Sequence, residues 1–500
     1  MSITGPGSIT AANALAQSNM MNQLDNLSEQ LGTGEAAQTY SGLGSQAGLA
    51  LALSAQLSDI NGYSSTASTV GTTLTLAQSV LTQLGDTGSA VEQSINQEGA
   101  FALDGSGKTT TQEAAVNQLD EILSLLNTQA GSNYMFSGSA VNQASVASTN
   151  DILNGNGTQA GLTQVMSERL QADLGADVPP LGRLTIPAAS GSTVSISSDS
   201  SPFGFKLAGV NSSLTGATVT GSPPSMSVDL GSNPNDGDTI QFSLTLPDGS
   251  TQTITLQATT ASPPGANQFT IGTLPTDTAT NLQAALTSAV GNLAQTALPA
   301  ASAMAAANDF FSSDPPQRVA GPPFDTATTL TDGTTANTVF WYTGENGSTP
   351  ARQTAVAQVG PSMTVDYGMR ANEQAITTLV ENVAVLAAAS YSASDPNAQA
   401  NYQALSQDVA ANLDGQPGTQ SVSDIEADLA NAQTQISNAT NLNTQTQTTL
   451  NNLLQGMEGV NQTQIGEQIL TLQNSLSASM SVTARLAQLS LVNYLAPATG

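Results

Sequence analysis

The feature that most constrains this chain is a long helical stripe. Leu49, Leu53, Leu57, Ile60, Ser64, Ala67, Val70, Leu74, Ala77, Leu81 and Leu84 recur in steps of three and four, the spacing that lines side chains along one face of an α-helix. Such a helix is a rod about 50 Å long at roughly 1.5 Å per residue. An element of that length with one apolar face needs partners running alongside it. An earlier stripe runs from Ile9 through Ala12, Ala16, Met20, Leu24, Leu27 and Leu31, and Gly32-Thr33-Gly34 closes it. After a glycine-containing break from Gly99 to Gly107, Val116, Leu119, Leu123 and Leu126 mark a further helix ending near Gly131.

From about Tyr134 the helical period gives way to Gly, Pro, Ser and Thr with short alternating runs. Thr239 to Leu246, the turn Pro247-Asp248-Gly249, and Thr251 to Leu256 predict a β-hairpin around an Asp-Gly turn. Leu282 to Leu293 predicts one short helix in this region, and Thr338 to Tyr342 and Met363 to Tyr367 predict late strands. Helical character returns with Ile376, Leu379, Val383 and Leu386, then with Ile425, Leu429, Ala432 and Ile436 in a helix running to Leu454. Past a hinge at Gly456 and Gly459, Ile465, Ile469, Leu472 and Leu476 keep the spacing of a coiled-coil seam, and Val482, Leu486 and Leu489 extend the segment to Tyr494-Leu495.

The order helices, β-rich middle, helices predicts an α+β fold. Long antiparallel helical coiled-coil arms from both termini carry an inserted β-rich outer domain, because neither arm buries its stripe alone. The expected parts are 1–45 with 456–500 as a terminal coiled-coil domain, 46–170 with 337–455 as a helical rod with a β-hairpin, and 171–336 as an inserted β-rich surface domain.

Charge and missing residue types narrow the chemistry. The chain holds 8 Lys+Arg against 37 Asp+Glu, a formal net charge of −29. Clustered Lys and Arg are what displace counterions from phosphate, so no nucleic-acid partner is expected. Without Cys or His there is no disulfide, no thiolate nucleophile, no Ser-His couple and no zinc site of those ligands. No stretch approaches the ~20 continuous apolar residues of a membrane helix, so no membrane insertion is expected. The opening Met1-Ser2-Ile3-Thr4-Gly5-Pro6 lacks the basic and apolar regions of a secretory signal. The balance points away from an enzyme, and no cofactor, catalytic residue or metal ligand is nominated.

Three segments look like sites and read more simply as structure. Gly107-Lys108-Thr109 resembles the tail of a phosphate-binding loop, but Ala102 stands where its first glycine belongs. Asn233-Pro234-Asn235-Asp236-Gly237-Asp238 looks like a calcium loop, yet the twelfth position is Ser243 and the third Pro234. Trp341, between Phe340 and Tyr342 and near Glu345, suggests either a sugar platform or a core anchor.

The segment Leu472-Gln473-Asn474-Ser475-Leu476-Ser477-Ala478-Ser479, followed by Ala484-Arg485-Leu486-Ala487-Gln488-Leu489-Ser490-Leu491-Val492-Asn493-Tyr494-Leu495, resembles the ending of the flagellin and flagellar hook-associated protein family. The final Leu-Ser-Leu-x-x-Tyr-Leu is more similar to its hook-filament junction members than to common filament flagellins. Leu27 to Gly34 resembles the family's closure of its first helix, without the basic residues usual there. Asn133-Tyr134-Met135-Phe136-Ser137-Gly138 is similar to the family's Tyr-x-Phe-Ser-Gly signature, and Val365 to Glu373 looks like alphaproteobacterial members.

The resemblance covers roughly 1–150 and 337–500 and implies an extracellular structural subunit of the bacterial flagellum, a motility organelle. It implies export without a cleaved signal peptide through the flagellar export apparatus, with a cytoplasmic chaperone. Terminal helices would form an inner coiled-coil tube by helical self-assembly with other axial proteins, both hook-associated proteins and flagellin. The assembly interface expected on those helices is Met20, Leu24, Leu27, Leu31, Ile465, Ile469, Leu472, Leu476, Leu486 and Leu489. Two roles fit, junction subunit and filament-forming flagellin. An alternative of another class is a secreted adhesin or glycan-binding protein working through 171–336. Carboxylate-based hydrolysis needs two acids facing across a cleft, and no paired motif nominates them.

Overall fold

The computed structural model describes the backbone of residues 6–415 and 417–495, and the side chains of 11–415 and 417–488. The helices are α1 (Pro6–Thr33), α2 (Ala47–Asn96), α3 (Thr110–Leu126), α4 (Thr149–Asn154), α5 (Leu162–Leu174), α6 (Pro275–Phe311), α7 (Gln374–Ala388), α8 (Ala398–Leu413), α9 (Val422–Glu458) and α10 (Gln462–Leu495). The strands are β1 (Gln129–Ala130), β2 (Asn133–Tyr134), β3 (Leu184–Thr185), β4 (Thr193–Ser198), β5 (Lys206–Ser212), β6 (Ala217–Ser222), β7 (Ser225–Leu230), β8 (Thr239–Thr245), β9 (Thr251–Thr259), β10 (Gln268–Thr270), β11 (Gln317–Val319), β12 (Leu330–Asp332), β13 (Val356–Gly360) and β14 (Met363–Asp366). At 53% helix and 16% strand the chain is α+β.

The leucine stripe becomes α2, an unbroken helix of 50 residues that continues past Leu84 through Gly85 and Gly88 to Asn96. Glycine inside a helix costs about 1 kcal/mol relative to alanine, and at Gly88 packing explains its presence. A Cβ there would lie 2.9 Å from Leu379 Cδ1 on α7, so the bare backbone permits a closer approach. The glycine hinge before the last helix narrows to Gly459-Val460-Asn461, because Gly456 remains inside α9.

Two compact units emerge where the sequence reading has three parts. One comprises 1–71, 357–365 and 434–500; the other comprises 72–356 and 366–433.

In the second unit, two four-stranded sheets of order β3-β4-β7-β6 and β10-β9-β8-β5 share a core with α6. The period of two places Ile240, Phe242 and Leu244 of β8 and Ile254, Leu256 and Ala258 of β9 in that core. The hairpin closes as its turn requires: Thr245 pairs with Thr251, and Gly249 takes φ +86°. Leu282, Leu286, Val290, Ala294 and Leu298 cover the sheets from α6.

That helix spans 37 residues, far longer than the Leu282 to Leu293 segment expected. Its second half, Ala300 to Ala307, is buried on nearly every side, so it shows no apolar period, and the internal Pro299 reads locally as a stop. The expected strand Thr338 to Tyr342 is also absent as a regular element. Thr338 and Tyr342 instead make isolated bridges to Ala160 and Val146.

In the first unit, Ala50, Leu53 and Ile60 of α2 form a small core with Leu450 and Leu454 of α9, flanked by Leu43, Leu57, Tyr63 and Met457. Gln447 Nε2 crosses between the same helices to Asn61 Oδ1 at 2.9 Å and Ser64 Oγ at 3.1 Å. Strands β13 and β14 pair, and Asn443 of α9, 2% exposed, donates to the Val359 carbonyl at 3.0 Å.

Candidate assembly surface

Helices α1 and α10 pack along each other, and hydrogen bonds at both ends fix their direction. At one end the Val460 N–H donates to the Gly34 carbonyl at 3.0 Å, the Ala36 N–H donates to the Glu458 carbonyl at 2.6 Å, and Glu35 and Gly459 form an antiparallel bridge. Toward the other, Gln17 Nε2 donates to Ser479 Oγ at 3.4 Å and Thr483 Oγ1 at 3.1 Å. The pair is therefore antiparallel.

The covered positions follow a spacing of three and four. On α1 they are Asn13, Gln17, Met20, Leu24, Leu27 and Gln30; on α10 they are Ile465, Ile469, Leu472, Leu476, Ser479, Thr483 and Leu486. Of these, Ile465 alone is fully buried, and the others are half-buried. Full burial of a Leu, Ile or Met side chain is worth about 1.5–3 kcal/mol, so two helices in contact recover part of what their seam could yield.

The structure thus puts Met20, Leu24, Leu27, Ile465, Ile469, Leu472, Leu476 and Leu486 on this seam. Leu31 does not join them. It is 38% exposed, because the spacing after Leu27 steps by three to Gln30, which turns Leu31 outward. The side chain of Leu489 lies outside the described residues. Gln17, Ser479 and Thr483 escaped the sequence reading because it followed apolar residues. Ser479 and Thr483 carry the same spacing onward from Leu476, and that was their available signal.

Large apolar side chains also lie off the seam. Leu15 is 66% exposed, Leu470 62% and Val482 53%, with Met21 and Met480 also open to solvent. Among the described residues, eleven of fifteen exposed large apolar side chains belong to the first unit, which is less than a third of the chain. Scattered exposed leucines are ordinary, whereas their concentration on one part of a molecule marks an interaction face.

The three site-like segments are occupied by structural bonds. Lys108 Nζ donates to the Ala387 carbonyl, burial lowers its pKa, and Thr109 caps α3 in a reciprocal box with Gln112. Asp238 Oδ2 accepts the Thr215 and Asn235 N–H groups at 2.8 and 2.9 Å, which makes a closed turn. Trp341 is 3% exposed and donates its indole N–H to the Phe311 carbonyl at 2.8 Å, while Arg370 pairs with Glu345. Trp341 is therefore a core anchor of the second unit.

Among the described residues no three His, Cys, Asp or Glu side chains group in a way that could hold a metal ion, and no helix is long and apolar enough to cross a membrane. A cleft of about 1040 Å³ in the second unit, lined by Asn308, Ser312, Asn382, Asn412 and Glu381, contains one perturbed carboxyl. Burial pushes Glu381 up to about 7, against a hydrogen bond from Ser312 Oγ at 3.3 Å. No protein-family model and no curated protein matches the chain.

Proposed function

We propose that this chain is a structural subunit of the bacterial flagellum that self-assembles through its terminal helices, at the hook-filament junction. On this reading α1 and α10 are coiled-coil arms, residues 171–336 are an inserted, solvent-facing domain, and the protein works outside the cell with no catalytic role. Its partners are further copies, other axial proteins, the flagellar export apparatus and a chaperone. The observation that carries the reading is the concentration of exposed apolar side chains beside a half-buried α1 and α10 seam. Such helices gain stability when neighbours cover them, which couples their ordering to assembly. The family resemblance of the sequence at 472–479 and 484–495 supplies the organelle.

A filament-forming flagellin is the second reading, favoured by the size of the β-rich segment, since a filament presents such a domain to solvent in every copy. Immunogold electron microscopy of sheared flagella with hooks attached, using antibody against 171–336, separates the two. A single spot at the hook boundary is expected. Label along the whole filament makes the chain a flagellin, and unlabelled flagella with the epitope accessible favour an adhesin. Removing residues 1–34 or 465–500 is expected to abolish incorporation while the second unit stays folded; retained incorporation in both truncations would sink the assembly reading.

A further inference from the structure

The basic residues of this chain are distributed unevenly. Arg169, Arg183, Lys206, Arg318, Arg352 and Arg370 are all in ion pairs within the second unit, and Lys108 is bonded to a backbone carbonyl there. The first unit holds one basic residue, Arg485 on α10, against Asp25, Glu29, Glu35, Asp59, Glu458 and Glu467. Among the described residues Arg485 is exposed and makes no ion pair or hydrogen bond, and the exposed carboxylates of Asp25 and Glu29 on α1 have no basic partner.

The register of the helix pair separates these charges along its axis. Because Gln17 lies opposite Ser479 and Thr483, Asp25 falls level with about Gln473 and Glu29 with about Ile469. Both are roughly 12 to 16 residues from Arg485, or about 18 to 24 Å along α10. No side chain spans that distance, so the pairing cannot form within one copy.

We propose that Arg485 pairs with Asp25 and Glu29 of a second copy of this chain, displaced along the helix pair by about 18 to 24 Å. This inference rests on the assembly reading above and names its partner and stagger. Each copy then offers a cation at one end of its terminal pair and two carboxylates farther along, so the same contact repeats from copy to copy. A displaced, head-to-tail contact of this kind lets copies join in series around or along a tube, whereas a two-fold contact closes at two copies. The exposed Val482 lies one turn from Arg485 on α10 and gives the contact an apolar flank. In a chain of net charge −29, one cation at a contact between copies also offsets like-charge repulsion.

The absence of cysteine permits a clean test. A full-length Asn22→Cys, Gln488→Cys variant, which keeps Arg485, Asp25 and Glu29 and places exposed thiols one turn from Asp25 and Arg485, assembled and treated with a short bis-maleimide, is expected to give a ladder of covalent oligomers. Dimers alone would replace the staggered contact by a two-fold one, and uncross-linked monomer would overturn the pairing. In parallel, Arg485→Glu is expected to reduce sedimentable assemblies at least tenfold, and the swap Arg485→Glu with Asp25→Arg and Glu29→Arg to restore them. If Arg485→Glu assembles as wild type while the terminal truncations do not, the ion pair is wrong and the assembly reading stands. If wild type itself does not assemble, both fall.

Discussion

Gln17 and Thr483, 466 residues apart in sequence, are joined by a 3.1 Å hydrogen bond from the Gln17 side-chain amide to the Thr483 hydroxyl. Ser479 accepts from the same amide at 3.4 Å. A polar group at a seam position costs stability but penalises every register that leaves it unpaired. Two leucine-bearing helices could slide by a heptad and still cover apolar surface. The Gln17 contact and the backbone bonds between Gly34 and Val460 make one alignment better than its neighbours.

Gln17→Leu is therefore expected to slow hydrogen exchange in α1 and α10, with a gain of about 1 kcal/mol from added apolar burial. Its assemblies are expected to lose regularity at the same time, seen as blurred layer lines in electron-microscope images. Unchanged exchange together with well-ordered assemblies would remove the register role.

Glu381 supplies a pH test for the second unit. Its carboxyl is buried and stands near 7 when folded, against 4.5 for the free side chain. A raised acid binds its proton more tightly in the folded state, so stability falls as pH rises from about 4.5 to 7 and the cost is fully present above that. Glu381→Gln keeps an acceptor for Ser312 and is expected to stabilise the second unit at pH 8 by on the order of 3 kcal/mol. The gain should vanish near pH 4; an equal effect at both pH values in urea melts would show that the carboxyl does not titrate in this range.

Arg169 lies between Asp173 at 3.0 Å and Asp309 at 2.6 Å, and Asp173 is fully buried. Desolvation raises the Asp173 pKa even against the pull of Arg169. Removing one member of a buried pair leaves the other uncompensated. Arg169→Ala, which leaves both the Asp173 and the Asp309 carboxyls without their cation, is expected to destabilise the second unit by about 3–5 kcal/mol, measured by chemical denaturation. A loss below about 1 kcal/mol would place the pair among exposed ones in its energetics.

The single tryptophan reports on one unit. Trp341 belongs to the second unit and is buried there, whereas the first unit has no tryptophan. Heating the unassembled protein is expected to lose part of the far-ultraviolet helical signal first, as the terminal helices melt, with Trp341 fluorescence unchanged. Fluorescence should then shift in a later transition. Coincident transitions by both probes would make the molecule one cooperative unit.

Much of this architecture was legible in sequence because its periods are long or clean. The stripe from Leu49 to Leu84 and the seam from Ile465 to Leu476 repeat often enough that helix is the sole element that accommodates them. The β8 and β9 hairpin was legible because alternation and an Asp-Gly turn agree. The long α6 was not, since complete burial of Ala300 to Ala307 removes the contrast between faces on which a helical period depends.

The sequence by itself determined the helical stripes, the strand alternation, the charge imbalance and the missing Cys and His chemistry, because each is a property of residue identity and spacing along the chain. The tertiary structure decided that Gln17 meets Ser479 and Thr483, that Leu31 turns outward, and that Arg485 has no ion pair among the described residues while six other basic side chains are in ion pairs. Those outcomes depend on which segments, hundreds of residues apart, are brought side by side and in what register, and chain-local spacing carries no information about that.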